Sequence, residues 1–258
     1  MNDLNPVTEL NPADLRLLSS ETTDGVITLE LLLDDVTATL WSPEHAVPGT
    51  PLVLLGHGGG RGHRHHPSMT GRARLLTDVG FRACAIDVAG HGPRARSEHD
   101  EAEVALLHAA RRGSEPFAPI VERYNADLAR RTVPEWRALL TGLLALPEVG
   151  EAPVGYWGLT LGTAIGVPLV AQEPRIRAAV LGQFWPSTLL DAARQVTVPI
   201  EFDLQWDDEQ IPLEDGLALF AAFASTEKSL HVNSGKHMDL PRFEAASAVR
   251  FFERHLLG

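Results

Sequence analysis

A chain of 258 residues that is 44% hydrophobic and 22% charged has the composition of an ordinary globular protein, and its length suits one α/β unit with a sizeable core. Its formal net charge of −12 sets up a negative field that repels phosphate backbones and anionic lipid, which argues against nucleic acid and membrane as partners. No apolar run is long enough to span a bilayer, and a single cysteine, Cys84, excludes an intramolecular disulfide.

The first twenty residues lack a basic start followed by an apolar core, so no secretory signal is read and a cytoplasmic location is expected. The runs LRLLSS, GVITLELLL and TATLWSP then predict antiparallel strands joined by turns at Thr23-Asp24-Gly25 and Asp34-Asp35. PLVLLGHGGG predicts a buried strand ending in a glycine loop, TGRARLLTDVG a helix closed by Gly80, and FRACAIDVAGHG the next strand, with Cys84 as a buried small hydrophobe. Residues 93–132, opening on the acidic SEHDEAEV, show no regular period and are read as a lid or inserted binding segment. Trp136, Leu140, Leu143 and Leu144 repeat at helical spacing, with Pro134 at the first turn of that helix. After the strand-like PVGYW comes a helix to about Gln172, in which Pro168 predicts a kink or an early end. RIRAAVLGQFW, VPIEFDLQW and KSLHVNSGKH supply further strands, with helices near 213–224 and 241–257. Strands alternating with helices predict a mostly parallel sheet covered on both faces, in one domain over 1–258.

Gly158-Leu159-Thr160-Leu161-Gly162 carries the chemistry. A nucleophile on a sharp strand-to-helix turn sits in strained backbone, and its neighbours two residues away must be small to let the chain pass. Gly158 and Gly162 meet that demand, with a strand before and a helix after.

With GHGGG at Gly56–Gly60, DVAGHG at Asp87–Gly92, DDEQIP at Asp207–Pro212 and GKHMD at Gly235–Asp239, the chain resembles the α/β-hydrolase superfamily, particularly its dienelactone-hydrolase-like and esterase-like members. The resemblance covers roughly Thr50 to the C-terminus. It implies an eight-stranded, mostly parallel sheet without a large cap after the sixth strand, and a site ordered nucleophile, acid, histidine. Thr160 then stands at the nucleophile position, His237 is the general base, and Asp208, four residues before Pro212, is the acid, with Asp207 as the neighbouring alternative. The backbone N–H of Leu161 and one from Gly59 or Gly60 would form the oxyanion hole. Phe117, Phe184, Trp185, Trp206 and Met238 are expected near the mouth of a pocket for a small-molecule substrate.

His63, His65 and His66 match no metal-ligand spacing, and the glycine loop lacks the lysine of a phosphate-binding loop, so neither metal nor cofactor is expected. The expected reaction is hydrolysis of a carboxylic ester, thioester or lactone. Lyase or cyclase chemistry on the same fold, and a ligand-binding protein with a decayed site, are the alternatives. Oligomeric state is left open by the sequence. Threonine keeps the hydroxyl that histidine can activate, but its methyl tolerates positive φ poorly and crowds the approaching carbonyl.

Overall fold

The computed structural model describes residues 10–60, 62–113 and 116–258; the first nine residues of the leader reading, and Ser114 and Glu115 of the 93–132 segment, lie outside the described residues. Nine strands form one sheet: β1 (Arg16–Thr23), β2 (Val26–Leu33), β3 (Val36–Pro43), β4 (Leu52–Gly56), β5 (Arg82–Ile86), β6 (Val154–Gly158), β7 (Ile176–Gly182), β8 (Ile200–Gln205) and β9 (Lys228–Asn233). Their order is β1-β2-β3-β5-β4-β6-β7-β8-β9, with β4 to β9 parallel and β1 to β3 antiparallel. The sheet thus has nine strands rather than the eight expected. The edge strand β1, which matches the run LRLLSS read from the sequence, is exposed along its whole length and is held by hairpin pairing to β2 rather than by burial. Both predicted turns are two-residue hairpins, with Asp24, Gly25 and Asp34 in the left-handed region such turns require.

Among the described residues, seven α-helices accompany the sheet: α1 (Pro67–Asp78), α2 (Glu98–Arg111), α3 (Phe117–Ala145), α4 (Leu161–Gln172), α5 (Leu190–Ala193), α6 (Leu213–Ala222) and α7 (Arg242–Leu256). Side chains alternate across each strand, so β4 sends Leu52 and Leu54 to one face and Val53 and Leu55 to the other. The first set packs with Trp136, Leu140 and Leu143 of α3 and with α4. The second packs with Met69 and Leu76 of α1 and Phe252 of α7. Burial on both faces explains why the parallel strands read as continuous apolar runs.

One proline expectation needs correction, and the helix through Pro168 reaches its expected end. Pro134 does not open a helix but lies inside the 29-residue α3, and α4 runs through Pro168 to Gln172 without an early end. A proline inside a helix costs about 3 kcal/mol because the carbonyl four residues back loses its partner. In α3 the apolar stripe continues across it, from Ile120, Tyr124 and Leu128 to Trp136, Leu139 and Leu143, and burial of that face outweighs the loss.

The segment 93–132 is likewise helical rather than irregular. SEHDEAEV is the first turn of α2: Ser97 Oγ accepts from Asp100 N–H at 3.1 Å and Asp100 Oδ2 from Ser97 N–H at 3.0 Å, a reciprocal cap that places acidic residues at the positive helix end. Asp100 Oδ1 also accepts from Tyr124 Oη at 3.1 Å and Arg131 Nη2 at 2.6 Å, which ties α2 to α3. These bonds hold its carboxyl well below the usual range despite burial, which acts the other way.

Candidate active site

The turn from β6 to α4 is shaped by what surrounds it. Thr160 has φ 57° and ψ −116°, a conformation a β-branched residue adopts only under constraint. A Cβ on Gly158 would come 2.7 Å from the Gly162 carbonyl, and one on Gly162 would come 2.7 Å from Gly56 O, so both glycines of the frame are required. Tyr156 Oη donates to Gly162 O at 2.7 Å, Thr160 N–H donates to Gly182 O at 3.2 Å, and the buried Thr163 hydroxyl lies 2.6 Å from Gly182 O while accepting from Gly182 N–H at 2.8 Å. These bonds pin the turn to β7. The Thr160 side chain caps nothing at the start of α4 and is half-buried.

His237 follows β9 and Asp208 follows β8. His237 Nδ1–H donates to Asp208 Oδ2 at 2.8 Å, which leaves Nε2 as the acceptor nitrogen. The other Asp208 oxygen accepts the N–H groups of Gln210 and Ile211 at 2.9 and 3.0 Å, so the carboxylate is fixed at both ends. Asp207 is exposed and makes only a backbone bond from its N–H to Gly235 O. Of the two acids offered by the sequence, Asp208 is the one against the imidazole. No hydrogen bond joins the Thr160 hydroxyl to His237 among the described residues.

The glycine loop lies over Thr160: a Cβ on Gly58 would be 3.1 Å from Thr160 Oγ1, and one on Gly59 would be 3.9 Å from Leu161 Cβ. The N–H groups of Gly58, Gly59 and Leu161 have no backbone partner among the described residues. Gly60, at φ 68°, instead lines a cavity of about 540 Å³ with Gly62, His63, His91 and Arg96. His57 anchors the loop. Its Nδ1–H donates to Gly58 O at 2.8 Å and its Nε2 accepts from Val88 N–H at 3.1 Å, and burial pushes it down to about 4, so the ring is neutral.

Three of the five apolar residues expected at a pocket lie together: Phe184 and Trp185 at the end of β7 are buried, and Phe117 meets Trp185 edge-on at 6.2 Å. Trp206 and Met238 are 64% and 82% exposed, so they stand at the surface rather than in an enclosed wall, because their loops turn them outward beyond β8 and β9. Asp87 is fully buried and accepts from Thr37 Oγ1 and Arg64 N–H, holding the turn after β5. His66 caps α1.

Sequence reasoning missed Gln183 and Glu209. Gln183, at φ 53°, donates through Nε2 to His237 O at 2.6 Å, and Glu209 Oε2 accepts His237 N–H at 3.1 Å; that bond holds Glu209 below the usual carboxylate range. Glu209 was within reach as part of DDEQIP, whereas a glutamine after a strand carries no signal.

No family model and no curated protein matches the chain. Among solved structures, a PEG-bound cold-adapted esterase from an Arctic intertidal metagenomic library is 33% identical, covers 92% of this chain and 97% of its own, and superposes with a TM-score of 0.76. The chain belongs to the esterases of the α/β-hydrolase fold. An acetyl xylan esterase from Paenibacillus sp. R4 (15% identity, 94% and 88% coverage, TM-score 0.70) and a dienelactone hydrolase from Anabaena variabilis (19%, 94% and 99%, TM-score 0.64) share that fold. In this esterase family member, among the described residues, no helix is long and apolar enough to cross a membrane.

Proposed function

We propose that this protein hydrolyses carboxylic esters, thioesters or lactones of small molecules through Thr160, His237 and Asp208, working in the cytoplasm. The observation that carries the reading is the 2.8 Å bond from His237 Nδ1–H to Asp208, made between the loops after adjacent parallel strands, where such sheets build their sites. It fixes the tautomer in which Nε2 can take a proton.

His237 Nε2 removes the Thr160 proton as Oγ1 attacks the acyl carbon. The C–O π electrons move to the carbonyl oxygen, whose negative charge is met by the N–H groups of Leu161 and Gly59. Their free state and adjacency support Gly59 over Gly60, which faces the neighbouring cavity. The intermediate collapses, the alcohol leaves with the proton from His237, and water then releases the acid by the same route. Catalytic hydrogen bonds are often loose without substrate, which accommodates the unmade bond between Thr160 and His237. Phe117, Phe184 and Trp185 supply an apolar wall beyond β7 for the acyl or alcohol group.

The test is turnover of p-nitrophenyl acetate together with fluorophosphonate labelling read by mass spectrometry. The wild type should be labelled at Thr160, Thr160→Ala and His237→Ala should be inactive, and Asp208→Asn should lose on the order of 10⁴ in kcat, as expected when the imidazole is held in the wrong tautomer. Wild-type turnover by Thr160→Ala would sink the covalent mechanism.

A further inference from the structure

Beneath the last two parallel strands lies a polar cluster that ester hydrolysis does not use. Glu201, Asp203 and Gln205 alternate along β8 and are 3%, 1% and 1% exposed, so all three point to one buried face. α7 covers that face with Glu244 and Ser247, and β9 contributes His231, the register partner of Asp203. His231 Nδ1 lies 2.7 Å from Glu244 Oε2 and 3.7 Å from Asp203 Oδ1, and its Nε2 lies 3.9 Å from Glu201 Oε2. One donor atom from each of Glu201, Asp203 and His231 falls within 4.8 Å of the other two.

The unpartnered atoms separate this cluster from an ordinary ion-pair network. Both Glu244 oxygens are occupied, by His231 and by Asn233 Nδ2 at 2.8 Å, and Glu201 Oε2 accepts from Ser247 Oγ at 3.1 Å. Glu201 Oε1, Asp203 Oδ1 and Gln205 Oε1 are buried with no hydrogen-bond partner. Three carboxylates share this region with one imidazole, with Arg72, which acts on Asp203 and lies 4.7 Å above the Trp157 ring, and with Arg250, which acts on Glu201. A buried carboxylate oxygen without a partner is costly.

We propose that Glu201, Asp203 and His231 bind one divalent transition-metal cation of the zinc type, with Glu244 orienting the imidazole from behind. Two carboxylate oxygens and one imidazole nitrogen are a donor set such cations accept, and a carboxylate behind the ligating histidine fixes its tautomer. The ion clamps β8 to β9 below the loops that carry Asp208 and His237. Gln205, at the top of the same column, donates through Nε2 to Lys236 O at 3.1 Å, one residue before His237. The site is therefore structural, and its test does not depend on activity.

The full chain, stripped with chelator, is titrated with zinc chloride at pH 7.5 by calorimetry and by thermal melting. One ion should bind per chain, and at a hundred-fold excess over Kd the melting temperature should rise by about 5–10 °C. Asp203→Asn and Glu201→Gln, each isosteric, should weaken binding at least about tenfold by loss of a charged ligand. The double substitution by alanine of His65, which lies against Glu30, and His66, which caps α1, should leave it unchanged. The site is overturned by no saturable binding to wild type, by one-site binding that persists in both carboxamide variants, or by binding lost instead in the double histidine variant. Should Asp203→Asn fail to fold, Glu201→Gln decides alone.

Discussion

His57 should make the fold acid-sensitive from pH 6.5 downward, starting above the range in which ordinary carboxylates titrate. The ring is 2% exposed, and its two bonds demand a neutral tautomer: Nδ1–H gives to Gly58 O, and Nε2 receives from Val88 N–H. A proton on Nε2 would set two donors against each other in a desolvated place. Burial, aided by neighbouring His91, lowers the folded value from 6.5 to about 4, although the Gly58 bond acts the other way. Since the folded value lies below the unfolded one, the contribution is whole above pH 6.5 and is lost as pH falls towards 4. A shift of that size corresponds to about 3 kcal/mol in full, of which about 2 kcal/mol is lost by pH 5. His57→Gln keeps an acceptor for Val88 but does not titrate. Urea melts of both proteins at pH 7.5 and pH 5 should show the gap between wild type and variant shrinking by about 2 kcal/mol. A gap that stays constant would refute the assignment, because His91, also lowered by burial, is common to both proteins. Turnover of wild type should fall in the same window, since a displaced His57 releases the loop above Thr160.

Two further outcomes follow from the turn. Thr160→Ser keeps the hydroxyl and removes the methyl from a residue at φ 57°, so p-nitrophenyl acetate turnover should rise by about 10- to 100-fold; a slower serine variant would mean that the methyl positions the hydroxyl. Gly162→Ala puts a Cβ 2.7 Å from Gly56 O, a backbone atom that cannot swing away, and should cost about 1–3 kcal/mol, or roughly 3–10 °C in melting temperature by scanning calorimetry; an unchanged melt would show that the frame can open.

Much of this was legible because local signals and burial agreed. Apolar runs such as PLVLLG are buried on both faces, and the turns at Asp24-Gly25 and Asp34 carry residues that tolerate positive φ. Asp208 and His237 were legible through their place after strands. The reading failed where a strong local rule met a stronger distant contact. Pro134 marks a helix start when taken alone, but the Ile120 to Leu143 stripe packs on the sheet as one surface. SEHDEAEV is read as the opening of an irregular lid or inserted segment, although Ser97 and Asp100 form a reciprocal cap whose spacing is present in the sequence; its burial by Tyr124 and Arg131 is not. Gln183, His57 and the Glu201 column depend on which side of a strand or loop faces inward, and no period in their own residues states that.

The constraint on Thr160 comes from elsewhere in the molecule. Gly158 and Gly162 leave room for the turn, Tyr156 and Thr163 tie it to α4 and β7, and Thr160 N–H reaches Gly182, so the positive φ is imposed by at least four contacts that do not involve the side chain. Strain of this kind persists only where the surroundings over-determine it. The backbone would therefore hold the same shape with serine or with alanine, and the methyl is borne by the frame rather than required by it. On the proposed covalent mechanism the methyl sits beneath a glycine loop so near that a Cβ on Gly58 would come 3.1 Å from the Thr160 hydroxyl. On that same mechanism, selectivity by shape of the acyl group should relax in the serine protein while the fold stays as it is.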